Sequence, residues 1–209
     1  THAAILVASR PELMSHAVAS AAELEPLLEK ADVIAFGPGL GQSAWAHEMF
    51  TRVAAEMKPA VWDADALNLL AASPAAVNNR VITPHPGEAA TLLGMSTKDV
   101  QEARPAALAA LVKKYGGTAV LKGAGSLISS SRSRPMLCTS GNPGMASPGM
   151  GDVLTGIVAA LLGQGLDSVQ AAAAGVEIHA RAGDRAALAG ERGLIASDLM
   201  LELRAVLNP

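Results

Sequence analysis

Short, continuously apolar runs alternate along the chain with longer alanine-rich stretches whose apolar positions recur at helical spacing. The runs at residues 4–8, 33–36, 60–62, 81–83 and 118–121 are apolar throughout rather than at every second position. That is the pattern of parallel strands covered on both faces. Helical patterns fill the intervals at 11–29, 43–57, 87–93 and 98–115. Residues 127–130 and 135–139, separated by Ser131-Arg132-Ser133-Arg134, read as a polar hairpin at a sheet edge. The remainder reads as helix over 152–162, 169–188 and 197–207. Alternation of this kind predicts a three-layer α/β domain with a mostly parallel central sheet and helices on both faces. No fixed-period repeat and no linker interrupts the 209 residues, so the expectation is one domain over 1–209.

Composition narrows the function classes. Half of the residues are hydrophobic and only 17% are charged, which excludes a disordered chain. Sixteen basic and nineteen acidic residues give a net charge of −3 and no overall attraction to nucleic acid or an anionic membrane. Aromatic residues at 2% supply no stacking platform for single strands. The longest apolar stretch, 153–162, is half the length that a bilayer requires, and no signal-peptide pattern opens the chain. A lone cysteine, Cys138, has neither a disulfide partner nor a CxxC neighbour, so a reducing, cytoplasmic setting is expected and a buried thiol is favoured over a nucleophile. His2, His16, His47 and His179 lack metal-ligand spacing, and Glu177 and Arg181, four apart, read as a surface or interface ion pair.

Candidate chemistry gathers where strands end. Gly37-Pro38-Gly39-Leu40-Gly41, Asp63-Ala64-Asp65-Ala66-Leu67-Asn68, Thr83-Pro84-His85-Pro86-Gly87-Glu88 and Lys122-Gly123-Ala124-Gly125-Ser126 each follow a predicted strand. In open parallel sheets ligands bind beyond the carboxyl ends of the strands, so these four loops are expected to line one cleft. A fifth segment, Gly141 to Asp152, runs straight into the helix at Val153. Glycine amides and the unpaired N–H groups of a helix start make a cradle for phosphate oxygens. Asp152 stands at its rim, where a carboxylate can take a proton from a substrate hydroxyl, and the pair suggests phosphoryl transfer to an alcohol. The bland alternative is a capping aspartate beside an ordinary loop. Neither a Walker loop nor a Gly-x-Gly-x-x-Gly dinucleotide fingerprint is present. Asp63, Asp65 and Asn68 have the alternative reading of helix caps, Lys122 that of a solvated strand-end lysine, His85 that of a histidine packed in a rigid loop, and Glu88 that of a first-turn helix carboxylate.

On these motifs, together with Gly141-Asn142-Pro143-Gly144-Met145-Ala146, the chain resembles the ADP-dependent NAD(P)H-hydrate dehydratases of the ribokinase-like superfamily over nearly its whole length. The resemblance implies a ribokinase-like fold and a repair reaction. The S form of hydrated NADH or NADPH is phosphorylated by ADP and loses phosphate, giving NAD(P)H and AMP. Asp152 would be the base, with the amides of Gly149, Met150 and Gly151 stabilising the transferring phosphoryl group. Lys122, Gly123, Ala124, Gly125, Ser126 and Gly151 would hold ADP or AMP; Gly39, His85 and Asp152 would contact the hydrated dinucleotide, with Asp65 and Asn68 as secondary candidates. Mg²⁺ would offset phosphate charge, with no side-chain ligand assigned. The resemblance also implies a homotetramer, to which the alanines at 171–174 would lend a close-packing surface, and an epimerase domain or protein as partner. Two departures stand out. Pro148 replaces a glycine and removes one amide donor, which predicts a reshaped rather than abolished cradle, and the family's strands upstream of Ala3 are missing, which predicts a domain shortened at its amino end. A vitamin-alcohol kinase of the same superfamily and an inactive nucleotide-binding module are the competing readings.

Overall fold

Six short strands form one sheet in sequence order in the computed structural model, which describes residues 2–208, without the side chains of His2 and Ala4. The strands are β1 (Ile34–Phe36), β2 (Ala60–Trp62), β3 (Arg80–Ile82), β4 (Thr118–Leu121), β5 (Leu127–Ser130) and β6 (Met136–Leu137). The first four are parallel, with Ile34 beside Ala60, Ala60 beside Arg80 and Val81 beside Thr118. β5 and β6 are antiparallel additions, the hairpin expected at the edge. Helices follow as α1 (His2–Ser9), α2 (Ala21–Lys30), α3 (Ala44–Ala54), α4 (Asp65–Ala72), α5 (Pro86–Leu93), α6 (Thr97–Glu102), α7 (Arg104–Tyr115), α8 (Met150–Gly163), α9 (Ser168–Ala186) and α10 (Ala196–Leu207).

Two compact units divide these elements: residues 32–41 with 57–209, and residues 1–31 with 42–56. The larger contains the sheet. Val61, Val81, Val120 and Ile128 pack on one face against Leu154, Val158 and Leu162 of α8 and Ala171, Ala172, Val176 and Ala180 of α9. On the other, α7 lies against β4 and β5 through a helix whose Leu108, Leu111 and Tyr115 are buried. Ala171 and Ala172 are therefore used inside this core, and do not form the surface for close packing that the sequence suggested. In the smaller unit α2 and α3 are joined by a two-bonded Arg52–Glu25 pair and by the Ala21 amide on Glu48.

Three sequence expectations change. Residues 4–8 form helix rather than strand. A short apolar run fits either element by periodicity, but a helix closes its bonds locally, as in Arg10 N–H to Leu6 C=O at 2.8 Å, whereas a strand needs a partner. The helix expected over 11–29 begins only at Ala21, where the Ser20 hydroxyl accepts the Glu23 amide as cap. The helix expected over 98–115 breaks at Ala103 (φ −132°, ψ 45°), because Pro105 has no N–H to continue the ladder and its ring would strike the preceding turn.

Candidate active site

Beyond the parallel strands the ladder continues for one more step. Asp63 N–H bonds Phe36 C=O at 3.1 Å, Thr83 N–H bonds Trp62 C=O at 3.1 Å, and Lys122 N–H bonds Pro84 C=O at 2.9 Å. These bonds set the four strand-end loops side by side, as the motif placement predicted.

Asp63 is the centre of this edge. It is 1% exposed; its Oδ1 accepts the Lys122 ammonium at 2.7 Å and its Oδ2 the Thr155 hydroxyl at 3.0 Å. The second carboxylate of the turn, Asp65, goes elsewhere and accepts the Gly41 amide at 2.8 Å, fixing the end of the glycine loop at 37–41. Ala64 between them has φ 49° and ψ −123°, the one positive φ outside glycine among the described residues. Such a conformation costs on the order of 1–3 kcal/mol and persists only where neighbours enforce it; here two carboxylates are held in different places by their partners. Helix α4 has no side-chain cap, so the capping reading fails for Asp63 and Asp65. Asn68 lies partly buried in α4.

Lys122 is correspondingly no solvated lysine: its side chain is 18% exposed and also lies 3.7 Å from Glu88. Glu88 joins His85 in a reciprocal cap of α5. His85 Nδ1 accepts the amides of Gly87 and Glu88, and Glu88 accepts the His85 amide at 2.7 Å. The His85 ring is 56% exposed rather than packed, so Nδ1 is engaged while the ring reaches solvent. Sequence reasoning missed Arg104. Its guanidinium donates to the carbonyls of Leu121, Lys122 and Gly125, holding the loop at 122–126 by its backbone. Nothing in the local sequence marks an arginine at a helix start for that task; it is legible only once α7 packs beside β4.

The fifth segment enters α8 through a tight turn. Gly149 has φ 85° and ψ −13°, the third position of a type II turn, for which Pro148 is the favoured second residue. Proline thus presets the turn, and the α8 start retains the amides of Met150, Gly151 and Asp152 with no side-chain cap. Gly151 lies directly against the Asp63–Lys122 pair. A Cβ there would stand 3.1 Å from Lys122 Nζ and 3.3 Å from Asp63 Oδ2, tighter than ordinary contact, so glycine lets the start of α8 lie beside this pair without displacing it. Asp152 is exposed and has no hydrogen bond or ion pair among the described residues.

Helix α9 secures the loop that leads here. Glu177 accepts the Ser140 hydroxyl at 3.1 Å and lies 3.4 Å from Cys138 Sγ, so it turns to the loop and not to Arg181 as the four-residue spacing suggested. Asp184 accepts the Gly141 amide and the Asn142 side-chain amide. His179 Nε2 is 2.9 Å from the Met150 carbonyl. Burial, helped by the nearby Lys122 charge and opposed by the hydrogen bond to Met150, which favours the protonated ring, leaves this imidazole with a pKa depressed to about 4 from 6.5. Between these values the unfolded chain binds more protons than the folded one. Stability is therefore full above pH 6.5 and falls as the pH drops toward 4. Thermal melts across that range should show the decline, and His179→Gln should make it shallower; an unchanged slope would remove His179 as its source.

Among the described residues no three carboxylate, imidazole or thiol groups cluster to hold a metal ion. Nor is any described helix long and apolar enough to cross a membrane.

Over residues 1–204 the chain matches the family model described as NAD(P)H-hydrate dehydratase. It is 50% identical along its full length to a bifunctional NAD(P)H-hydrate repair enzyme of Coxiella burnetii, of which it covers 43%. It is 38% identical over 185 residues to an ADP-dependent (S)-NAD(P)H-hydrate dehydratase of Neisseria meningitidis, matching 86% of this chain and 62% of that one. The solved ADP/ATP-dependent NAD(P)H-hydrate dehydratase of Bacillus subtilis, co-crystallised with ATP and Mg²⁺, superposes with a TM-score of 0.75 at 26% identity, covering 85% of this chain and 64% of that one. The chain thus spans less than half the length of the Coxiella relative.

Proposed function

The chain belongs to the NAD(P)H-hydrate dehydratase family, and from that premise we propose that it uses ADP to dehydrate the S form of hydrated NADH or NADPH, releasing AMP and phosphate. One observation carries the reading: the start of α8, without a side-chain cap, places Gly151 beside the Lys122–Asp63 pair, with Asp152, which has no partner among the described residues, next in sequence. A phosphoryl group there meets a positive charge and several N–H donors, and a hydroxyl beside it meets a base.

In this reading Asp152 removes the proton from the ring hydroxyl as its oxygen attacks the β-phosphorus of ADP. The bond from that phosphorus to the bridging oxygen breaks, and AMP departs with the electron pair. The amides of Gly149, Met150 and Gly151 and the charge of Lys122 stabilise the equatorial oxygens during transfer. Phosphate then leaves the ring carbon with the C–O electron pair, the adjacent ring carbon gives up a proton, and the reduced nicotinamide is restored. The loop at 122–126, braced by Arg104, holds the nucleotide; Gly39 and the exposed His85 face meet the hydrated dinucleotide, and Asp65 acts on that loop through Gly41. Mg²⁺ neutralises phosphate charge when bound. Among the described residues no three ligands cluster, so phosphate oxygens would supply most of the ion's ligands. The bifunctional relatives carry a further part beyond this region, which we read as the epimerase that supplies the S form.

Recovery of the reduced-nicotinamide absorbance from hydrated NADH and ADP tests the reading; no recovery rejects it, and phosphorylation of a thiazole or pyrimidine alcohol in its place would favour the kinase. One route to an inactive binding module is damage to the cradle by Pro148. The turn geometry argues otherwise, so Pro148→Gly should leave kcat within about threefold of the parent chain. A large gain in the glycine variant would show that proline impairs the site.

A further inference from the structure

Of the three places where α9 grips the glycine-rich loop, one reaches the peptide that carries a proposed phosphate donor. Glu177 and Asp184 hold residues 138–142, far along the loop from α8, and Gly183 leaves room for the Met145 side chain, which a Cβ there would strike. His179, between them, bonds the Met150 carbonyl at the first residue of α8. A carbonyl oxygen can only accept, so Nε2 carries the hydrogen and the neutral imidazole is the donor.

The Met150 carbonyl and the Gly151 N–H belong to the same peptide unit. In a planar trans peptide these two bonds point in opposite directions, so fixing the oxygen fixes the line of the N–H. A hydrogen bond to the oxygen also polarises the amide and strengthens its donor end. Gly151 has no side chain to steady it, and Gly149, two residues earlier, is held by its turn and by its carbonyl, which accepts the Val153 amide at 3.1 Å. We infer that His179 is a positioning residue for phosphoryl transfer, which aims the Gly151 N–H into the cradle by holding the other end of the Met150–Gly151 peptide. This inference rests on the proposed function for its kinetic consequence. It does not rest on it for the geometry, which is a property of the free protein.

Three variants separate positioning from packing. His179→Leu keeps bulk and removes the donor; His179→Gln places an amide N–H at comparable reach; His179→Asn is polar but too short. The expected result is a fall in kcat of about 10- to 100-fold for Leu and for Asn, with KM for hydrated NADH within about threefold, and recovery of most of kcat in Gln. In ¹⁵N-labelled protein, the Gly151 amide resonance should respond to inorganic phosphate in the parent and in Gln, and about tenfold more weakly in Leu and Asn. Should Leu fail to fold, the Asn and Gln pair decides. The inference is overturned if Gln is as slow as Asn, if Asn keeps parental kcat, or if the Gly151 response to phosphate is the same in all variants. A parent chain that binds phosphate at Gly151 but does not act on hydrated NADH with ADP overturns the functional reading instead, and the resonance data then judge His179 by themselves.

Discussion

Asp152→Asn should lower kcat by about 10²–10⁴ while leaving ADP and AMP affinity within a few-fold of the parent chain. The carboxylate occupies the third position of α8, exposed and without a partner among the described residues, so its removal disturbs no packing and leaves no orphaned group. Asparagine keeps the size and can still end the first turn of the helix, but it cannot accept a proton from an alcohol. The loss should therefore fall on the chemical step. Single-turnover assays with hydrated NADH and ADP, alongside calorimetric titration of AMP, measure the two quantities separately. Parental turnover in the variant would dismiss Asp152 as base, and equal losses of binding and turnover would make it a nucleotide contact instead.

Lys122→Met carries the largest expected cost in stability. It strips the buried Asp63 of its ion-pair partner and leaves one hydroxyl, that of Thr155, on a carboxylate that is 1% exposed. Removing one member of a buried pair costs on the order of 3–5 kcal/mol, because the remaining charge has neither water nor partner. For a chain of this size that corresponds to a drop in Tm of roughly 10 °C. Combining it with Asp63→Asn removes the uncompensated charge and should restore much of the loss, although the double variant lacks the ammonium beneath Gly151 and should remain slow. Thermal melts of the two single variants and the double one form a cycle that isolates the pair. Additive losses would show that Asp63 and Lys122 do not depend on each other.

The four parallel strands were legible in the chain, because runs such as 60–62 and 119–121 are apolar at every position, as strands of a sheet covered on both faces are. The sequence also determined the edge at which the chemistry gathers, since the glycine, aspartate and histidine motifs stand immediately after those strands. Tertiary structure decided what sequence-local signals leave open. Whether residues 4–8 become strand or helix depends on a pairing partner that periodicity cannot name. Which aspartate of Asp63-Ala64-Asp65 turns inward depends on the strained Ala64 and on Lys122, fifty-nine residues away, at its Oδ1. Arg104 and His179 act on backbone atoms of other elements, Gly125 and Met150 among them. Hydrogen bonds to a distant carbonyl leave no spacing or composition in the chain that makes them, so only packing reveals them.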